Sequence, residues 1–187
     1  QKIISEFSKK NEKFKRIDSK KGRAIQMNIG ATKSSGHILY FLHADSFPPK
    51  NFDQSVVEAI REGAKAGCFK MKFDSSHWWL QLTGWFTQFN WKVSRGGDQS
   101  LFVEKNIFEH LKGYNEDFMI YEDNEFIYRL YKQGSFKVVQ RTLTTSARRF
   151  ESNGIWSLQF HFMVIHLMKF FGAPAKKLEA YYIKHIH

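Results

Sequence analysis

The chain has 187 residues, 42% of them hydrophobic, so a single domain with a sizeable core is the default. Its net charge is +11, from 29 Lys and Arg against 18 Asp and Glu, a balance that favours polyanionic partners: nucleic acid, anionic headgroups or sugar nucleotides. The single Cys68 excludes an internal disulfide framework or a thiolate metal cluster and fits a reducing, cytoplasmic compartment.

In chain order, residues 1–16 read as a basic helix with Ile3, Ile4 and Phe7 on one side, and Arg23–Lys33 as a second helix. Ser34-Ser35-Gly36 then turns the chain into an apolar strand over residues 38–45. Residues 52–66 form a helix stopped by Gly67, and residues 68–73 alternate like a strand. An aromatic-rich helix over 78–91 is broken at Gly96-Gly97 and followed by a short strand at 101–103 and a helix at 104–111. A helix over 123–132 ends at Gly134, and residues 136–140 are a strand. Strands alternating with helices predict a layered α/β domain, with the C-terminal aromatic segment an appendage to it.

Five sets of residues carry candidate chemistry. The strand at 38–45 ends in His43-Ala44-Asp45; side chains alternate along a strand, so His43 and Asp45 share one side. Ligands of open α/β sheets bind beyond such carboxyl ends, and a carboxylate beside an imidazole suits a divalent cation; the bland alternative is a turn opened by Asp45 and Ser46. On the helix beginning near Glu122, the apolar stripe is Phe126, Ile127, Leu130 and Tyr131. Asp123 falls at its centre, while Glu122, Glu125, Arg129 and Lys132 fall opposite. An inward carboxylate without a partner is costly, which marks Asp123 as either functional or a helix cap. Arg148-Arg149 offers two guanidinium forks for phosphate oxygens, the bland alternative in so basic a chain being solvated surface. Gly96-Gly97-Asp98-Gln99 places a bend, a carboxylate and an amide before a strand, a set suited to sugar hydroxyls. His77, Trp78, Trp79, Trp85 and Trp91 offer either stacking faces to an acceptor or core packing.

Residues 21–45, KGRAIQMNIGATKSSGHILYFLHAD, resemble the nucleotide-binding half of the family 2 glycosyltransferases, where such a strand ends in Asp-x-Asp. His43-Ala44-Asp45, Gly97-Asp98-Gln99, Glu122-Asp123 and Thr145-Ser146-Ala147-Arg148-Arg149 also resemble, in this order, a bacterial subgroup labelled radical-SAM/selenodomain-associated transferase 2. The last motif is similar to Gln-x-x-Arg-Trp, with Ser146 in the Gln position and Phe150 in that of Trp. The resemblance runs from about residue 20 to about residue 182. It implies a GT-A-like, Rossmann-like layered domain, a mixed sheet with helices on both faces, plus C-terminal helices. Divided accordingly, residues 1–150 are the catalytic domain and 151–187 a helical extension. Such proteins begin with a strand bearing a Pro-Thr-Leu-Asn-Glu-like loop, and this chain, starting at Gln1 in a basic stretch, is expected to lack it.

The implied activity is metal-dependent, inverting transfer of a sugar from a nucleotide-diphosphate donor to a hydroxyl acceptor. By this resemblance the base lies at Glu122-Asp123, and the helical phase selects Asp123 with Glu122 as fallback. Asp45 with His43 would hold Mg²⁺ or Mn²⁺; Arg23, Gln26, Asn28, Asp45, Arg148 and Arg149 would hold the nucleotide diphosphate; Gly97, Asp98 and Gln99 the sugar. The alternative is a catalytically incomplete binding module of the same fold at a membrane surface, which the absent first strand favours. No nucleic-acid motif accompanies the charge, so nucleic acid ranks last. Residues 155–173 form a helix apolar almost all round, with Lys169 its only charge. It is expected to be buried in the core or a homodimer, or to rest on the inner face of a membrane that presents a lipid-linked acceptor.

Overall fold

The computed structural model describes residues 14–186, so the helix expected over residues 1–16 falls almost wholly outside the described residues. From α1 (Arg23–Lys33) the chain enters β1 (Ile38–Phe41), a two-residue β2 (Ser46–Phe47), α2 (Phe52–Arg61) and β3 (Ala66–Phe73). It continues through α3 (Trp78–Phe86), 3₁₀ turns at Lys92–Ser94 and Gly97–Gln99, β4 (Leu101–Glu104) and α4 (Lys105–His110). Next come α5 (Glu122–Lys132), β5 (Phe136–Thr145), and three C-terminal helices, α6 (Arg148–Asn153), α7 (Ile155–Phe170) and α8 (Ala175–His185).

The five strands lie in the order β1-β4-β3-β5-β2. β3 and β5 run parallel from Ala66↔Phe136 to Phe73↔Thr145, while β4 is antiparallel to both β1 and β3. Hence β1, β3 and β5 point the same way, and their carboxyl ends share one edge with the loop that enters β4. Gly67 lets the central strand lie this close to its neighbours: a Cβ there would sit 2.2 Å from the Lys137 carbonyl and 2.4 Å from the Phe102 ring.

Alternation along the strands divides the core. Cys68, Leu101 and Val103 pack with Phe126, Ile127 and Leu130 of α5 and with α1 on one face. Phe69, Phe102 and Leu143 pack with Val56 and Ala59 of α2 on the other. A third cluster joins Phe73 and Leu80 to Phe150, Leu158, Ile165 and Leu178, so the C-terminal helices are packed onto the end of the sheet. The fold is therefore the expected one, a mixed sheet with helices on both faces and helices at the C-terminus.

Several boundaries differ from the sequence reading. The strand expected over 38–45 stops at Phe41, because its partner β4 begins at Leu101 and Ser100 turns away with φ 59°. Ala44 and Asp45 form a turn closed by Ser46 N–H donating to the His43 carbonyl at 3.1 Å, so His43 and Asp45 are not strand neighbours. β5 runs five residues beyond Gln140, because a bulge ejects Gln140 and Arg141 to solvent before the ladder with β3 resumes at Thr142. The helix expected over 78–91 ends at Phe86, and that over 155–173 is α7, which ends at Phe170; Gly172 and Pro174 then lead into α8, which begins only at Ala175.

Candidate active site

Helix α5 starts at Tyr121, held at φ 69°, and its first turn delivers Glu122 and Asp123 beneath the shared sheet edge. No side chain caps this helix, so Asp123 is not serving as its cap. The sequence phase put Asp123 inward and Glu122 outward; both are buried, at 9% and 1% exposure. The wheel misplaces Glu122 because Arg23, one hundred residues away, reaches over the turn and draws both carboxylates under itself. Arg23 Nη2 donates to Asp123 Oδ2 at 2.6 Å, and Nε lies 3.0 Å from Glu122 Oε1. Burial and the neighbouring Asp123 charge raise the Glu122 pKa, with Arg23 opposing.

The same Arg23 Nη2 stands 2.7 Å from His43 Nε2, while His43 Nδ1 lies 3.5 Å from Asp98 Oδ1. Two donors cannot bond each other, so with the imidazole protonated the two groups stand side by side, Arg23 Nη2 and His43 Nε2 both directed at Asp123 Oδ2, at 2.6 and 3.7 Å. Burial lowers the His43 pKa, but the hydrogen bonds to Asp123 and Asp98 outweigh it and raise the group to about 9. At neutral pH the imidazole therefore keeps its proton, and Arg23 and His43 compete for Asp123 Oδ2. For Asp98, desolvation works against ionisation, yet His43, Arg23 and Arg149 prevail and hold its carboxyl below the usual range.

Gly97 makes this assembly possible. A Cβ at 97 would fall 2.0 Å from Asp123 Oδ2 and 3.1 Å from His43 Cε1, so the carboxylate occupies the space a side chain would fill. The strand-end loop, the α1 N-terminus, the Gly97–Gln99 turn and α5 thus converge on one carboxylate.

Of the remaining sequence candidates, Asp45 is exposed at the turn after β1, its backbone carbonyl accepting from Ser146 N–H at 3.2 Å. Arg149 lies over the rings of Phe162 and Tyr182, within electrostatic reach of Asp98, Glu122 and Asp45; burial lowers its pKa. Arg148 and Gln26 are exposed and carry no side-chain bond that draws them into this network. Two candidates point elsewhere. Asn28 Nδ2 donates to the Tyr114 carbonyl and to Glu116 Oε1, both at 2.9 Å, while Oδ1 accepts from Tyr114 N–H. It clamps a loop. Gln99 is buried at 3%, its carbonyl oxygen accepting from Arg95 Nη1 at 2.5 Å and from the Cys68 thiol at 3.2 Å. Its amide belongs to the loop's interior, not to the open site.

Sequence reading missed Arg95 altogether. This guanidinium, 4% exposed, also donates to the carbonyls of Thr87, Phe89 and Trp91 and to Cys68 Sγ. It fastens the chain from α3 to the Gly97 turn using oxygens and sulfur that no motif announces.

No group of three His, Cys, Asp or Glu among the described residues could hold a metal unaided. His43 does not fit the role expected of it, since one ring nitrogen faces Arg23 and the other Asp98. Asp45 does fit the manner in which Mg²⁺ is commonly held, by one carboxylate with substrate phosphates supplying further oxygens.

An α/β sheet with helices on both faces, and a buried acidic pair at the carboxyl edge of its parallel strands, defines a GT-A-like domain. The family model described as Glycosyl transferase family 2 matches residues 1–140, and the chain belongs to that family. No curated protein matches the chain. Membership implies sugar transfer from a nucleotide sugar.

Proposed function

We propose that the chain is an inverting glycosyltransferase that uses a nucleotide-diphosphate sugar and a hydroxyl acceptor, with Asp123 as the base. The observation that supports this most is the convergence of Arg23 and His43, themselves paired with Glu122 and Asp98, on one buried carboxylate for which Gly97 leaves room. As the acceptor oxygen attacks the anomeric carbon, Asp123 takes its proton and the nucleoside diphosphate departs with the electrons of the broken bond. Arg23 must release Oδ2 first. The donor's diphosphate competes for the guanidinium, so donor binding frees the base, while Glu122 keeps Arg23 Nε in place. Arg149, and Arg148 beside it, offer further donors to the leaving diphosphate. Asp98 and the Gly97 backbone are left to meet the transferred sugar. Asp45 would hold Mg²⁺ or Mn²⁺, which when bound offsets charge on the diphosphate.

Within the family, the His43-Ala44-Asp45 and Arg148-Arg149 sequence motifs support the bacterial radical-SAM/selenodomain-associated subgroup, and the buried free Cys68 supports a cytoplasmic setting. A second reading, a binding module without turnover, is favoured by one fact: Arg23 engages both carboxylates at once.

The test is release of nucleoside diphosphate from a panel of UDP-, GDP- and dTDP-sugars with simple glycoside acceptors. Asp123→Asn should lower turnover on the order of 10²–10⁴-fold with donor affinity nearly unchanged. A variant working at the parent rate would eliminate Asp123, and Glu122→Gln is the comparison. An unchanged anomeric configuration in the product would refute inversion.

A further inference from the structure

The apolar residues left outside the core are not scattered. On α7, Trp156, Phe160, Met163, Leu167 and Phe170 are 54, 54, 49, 48 and 82% exposed, followed by Phe171 at 81%. At ~100° per residue these six fall in a stripe about 100° wide. Leu158 and Ile165, buried against the sheet end, lie diametrically opposite. The helix therefore has two apolar faces, and the domain uses only one. α3 repeats the pattern, with Trp78, Leu82 and Trp85 outward and Leu80 and Gly84 inward. The outward faces meet where the Trp78 and Trp156 rings stand 5.9 Å apart. α3 carries no charged residue and α7 only Lys169, whose ammonium is turned over the Phe118 ring.

Helix α8, which packs against α7, brings a basic rim beside this surface: Lys176, Lys177 and Lys184 are all exposed. A groove of about 460 Å³, lined by Val164, Leu167, Met168, Phe171, Pro174 and Lys177, opens at the turn between α7 and α8. It shares no residue with the carboxylate network. No helix among the described residues is long and apolar enough to cross a membrane.

We propose that the joined outer faces of α3 and α7 dock in the interface of an anionic lipid membrane, lying in its plane. Charge selects this occupant over a second copy: pairing two chains of net charge +11 sets like against like, whereas anionic headgroups attract the basic rim. The side chains agree with it. Trp and Phe dominate the surface, and these rings favour the headgroup boundary, with lysines at the rim beside phosphates. The groove ending at Lys177 matches one acyl chain with an anionic head.

Vesicle co-sedimentation tests this without any sugar donor, so its outcome is independent of the transferase reading. The chain should sediment with phosphatidylcholine–phosphatidylglycerol vesicles at low salt, and at least about tenfold less with phosphatidylcholine alone or at high salt. Trp156→Ser and the double variant Phe170→Ser/Phe171→Ser should each lower vesicle affinity on the order of tenfold. The thermal melt of the Phe170→Ser/Phe171→Ser variant should match the parent, because these two rings are largely in solvent. Protein left in the supernatant with anionic vesicles at low salt overturns the proposal. So does a dimer in sedimentation equilibrium that the Phe170→Ser/Phe171→Ser variant dissolves, which would assign the face to a second copy.

Discussion

Replacing Gly97 by Ala adds one methyl group at the most crowded point of the site. Its carbon would lie 2.0 Å from Asp123 Oδ2 and 2.5 Å from Cγ, where ordinary contact begins near 3.4 Å. The carboxylate must therefore retreat by roughly 1.4 Å, enough to break the 2.6 Å bond from Arg23 Nη2. The backbone itself does not resist the change, since Gly97 is not among the glycines held at positive φ. The strain thus falls on the side-chain network. A misplacement of about 1 Å at a reacting group costs on the order of 10² in rate, so kcat should fall about that far. Stability should fall by about 1–2 kcal/mol from the disturbed hydrogen bonds. Gly96→Ala is the matched control: nothing lies within 4 Å of its Cβ, and its φ of −162° suits any residue. Nucleoside diphosphate release with the best donor of the panel reads the rate, and urea denaturation the stability. Parent turnover in Gly97→Ala would refute the placement of Asp123 at the centre of the reaction.

The His43 imidazole should titrate near pH 9 by NMR, well above the ordinary 6.5, and Asp98→Asn should lower that value. Its folded pKa is the raised one, so the stabilisation is full below about pH 6.5 and disappears as pH rises through about 9. The stability gap between the parent and His43→Asn should narrow over that window, and a constant gap would refute the assignment. Arg95→Lys replaces five fixed donors with three in a closed site and should cost about 2–3 kcal/mol; a parent-like urea midpoint would contradict this. Asn28→Ala should lower stability by about 1–2 kcal/mol and leave nucleotide affinity unchanged, whereas the reverse would return Asn28 to the donor site. Asp45→Asn should abolish the Mn²⁺-dependent part of nucleoside diphosphate binding in calorimetry, and an unchanged metal dependence would remove Asp45 from the site.

Local pattern was enough for most of the architecture. α1 was legible to the residue, and the existence of β1, β3, β4, β5, α5 and α7 followed from apolar period and glycine punctuation. The failures are tertiary in origin. β2 is two residues long and exists only because Thr144 and Thr145 supply its ladder. The strand read as ending at Gln140, yet a bulge absorbs Gln140 and Arg141, and Arg141 goes on to bind the Lys50 carbonyl at 2.6 Å before α2. Helix α8 lacks a long apolar run and forms against α7, where Tyr181 meets His161 at 2.8 Å.

The site divides along the same physical line. The inward turn of Asp123 follows from helix phase and could be read from sequence, whereas His43 lies past the end of β1 and Asp98 in a 3₁₀ turn. What could not be read is which distant side chain neutralises which. Arg23 was a candidate for the nucleotide through the family resemblance alone, and in the folded chain it pairs with Glu122 and Asp123. Both assignments rest on the same chemistry, a guanidinium seeking two oxygens. A residue that satisfies the protein's own carboxylates before donor arrives, and the donor's phosphates afterwards, would also couple binding to release of the base. That coupling predicts that Arg23→Lys, which keeps the charge but loses the fork, weakens nucleotide affinity and turnover together. Arg23→Lys with parent affinity and turnover would leave Arg23 as a structural clamp on Glu122 and Asp123.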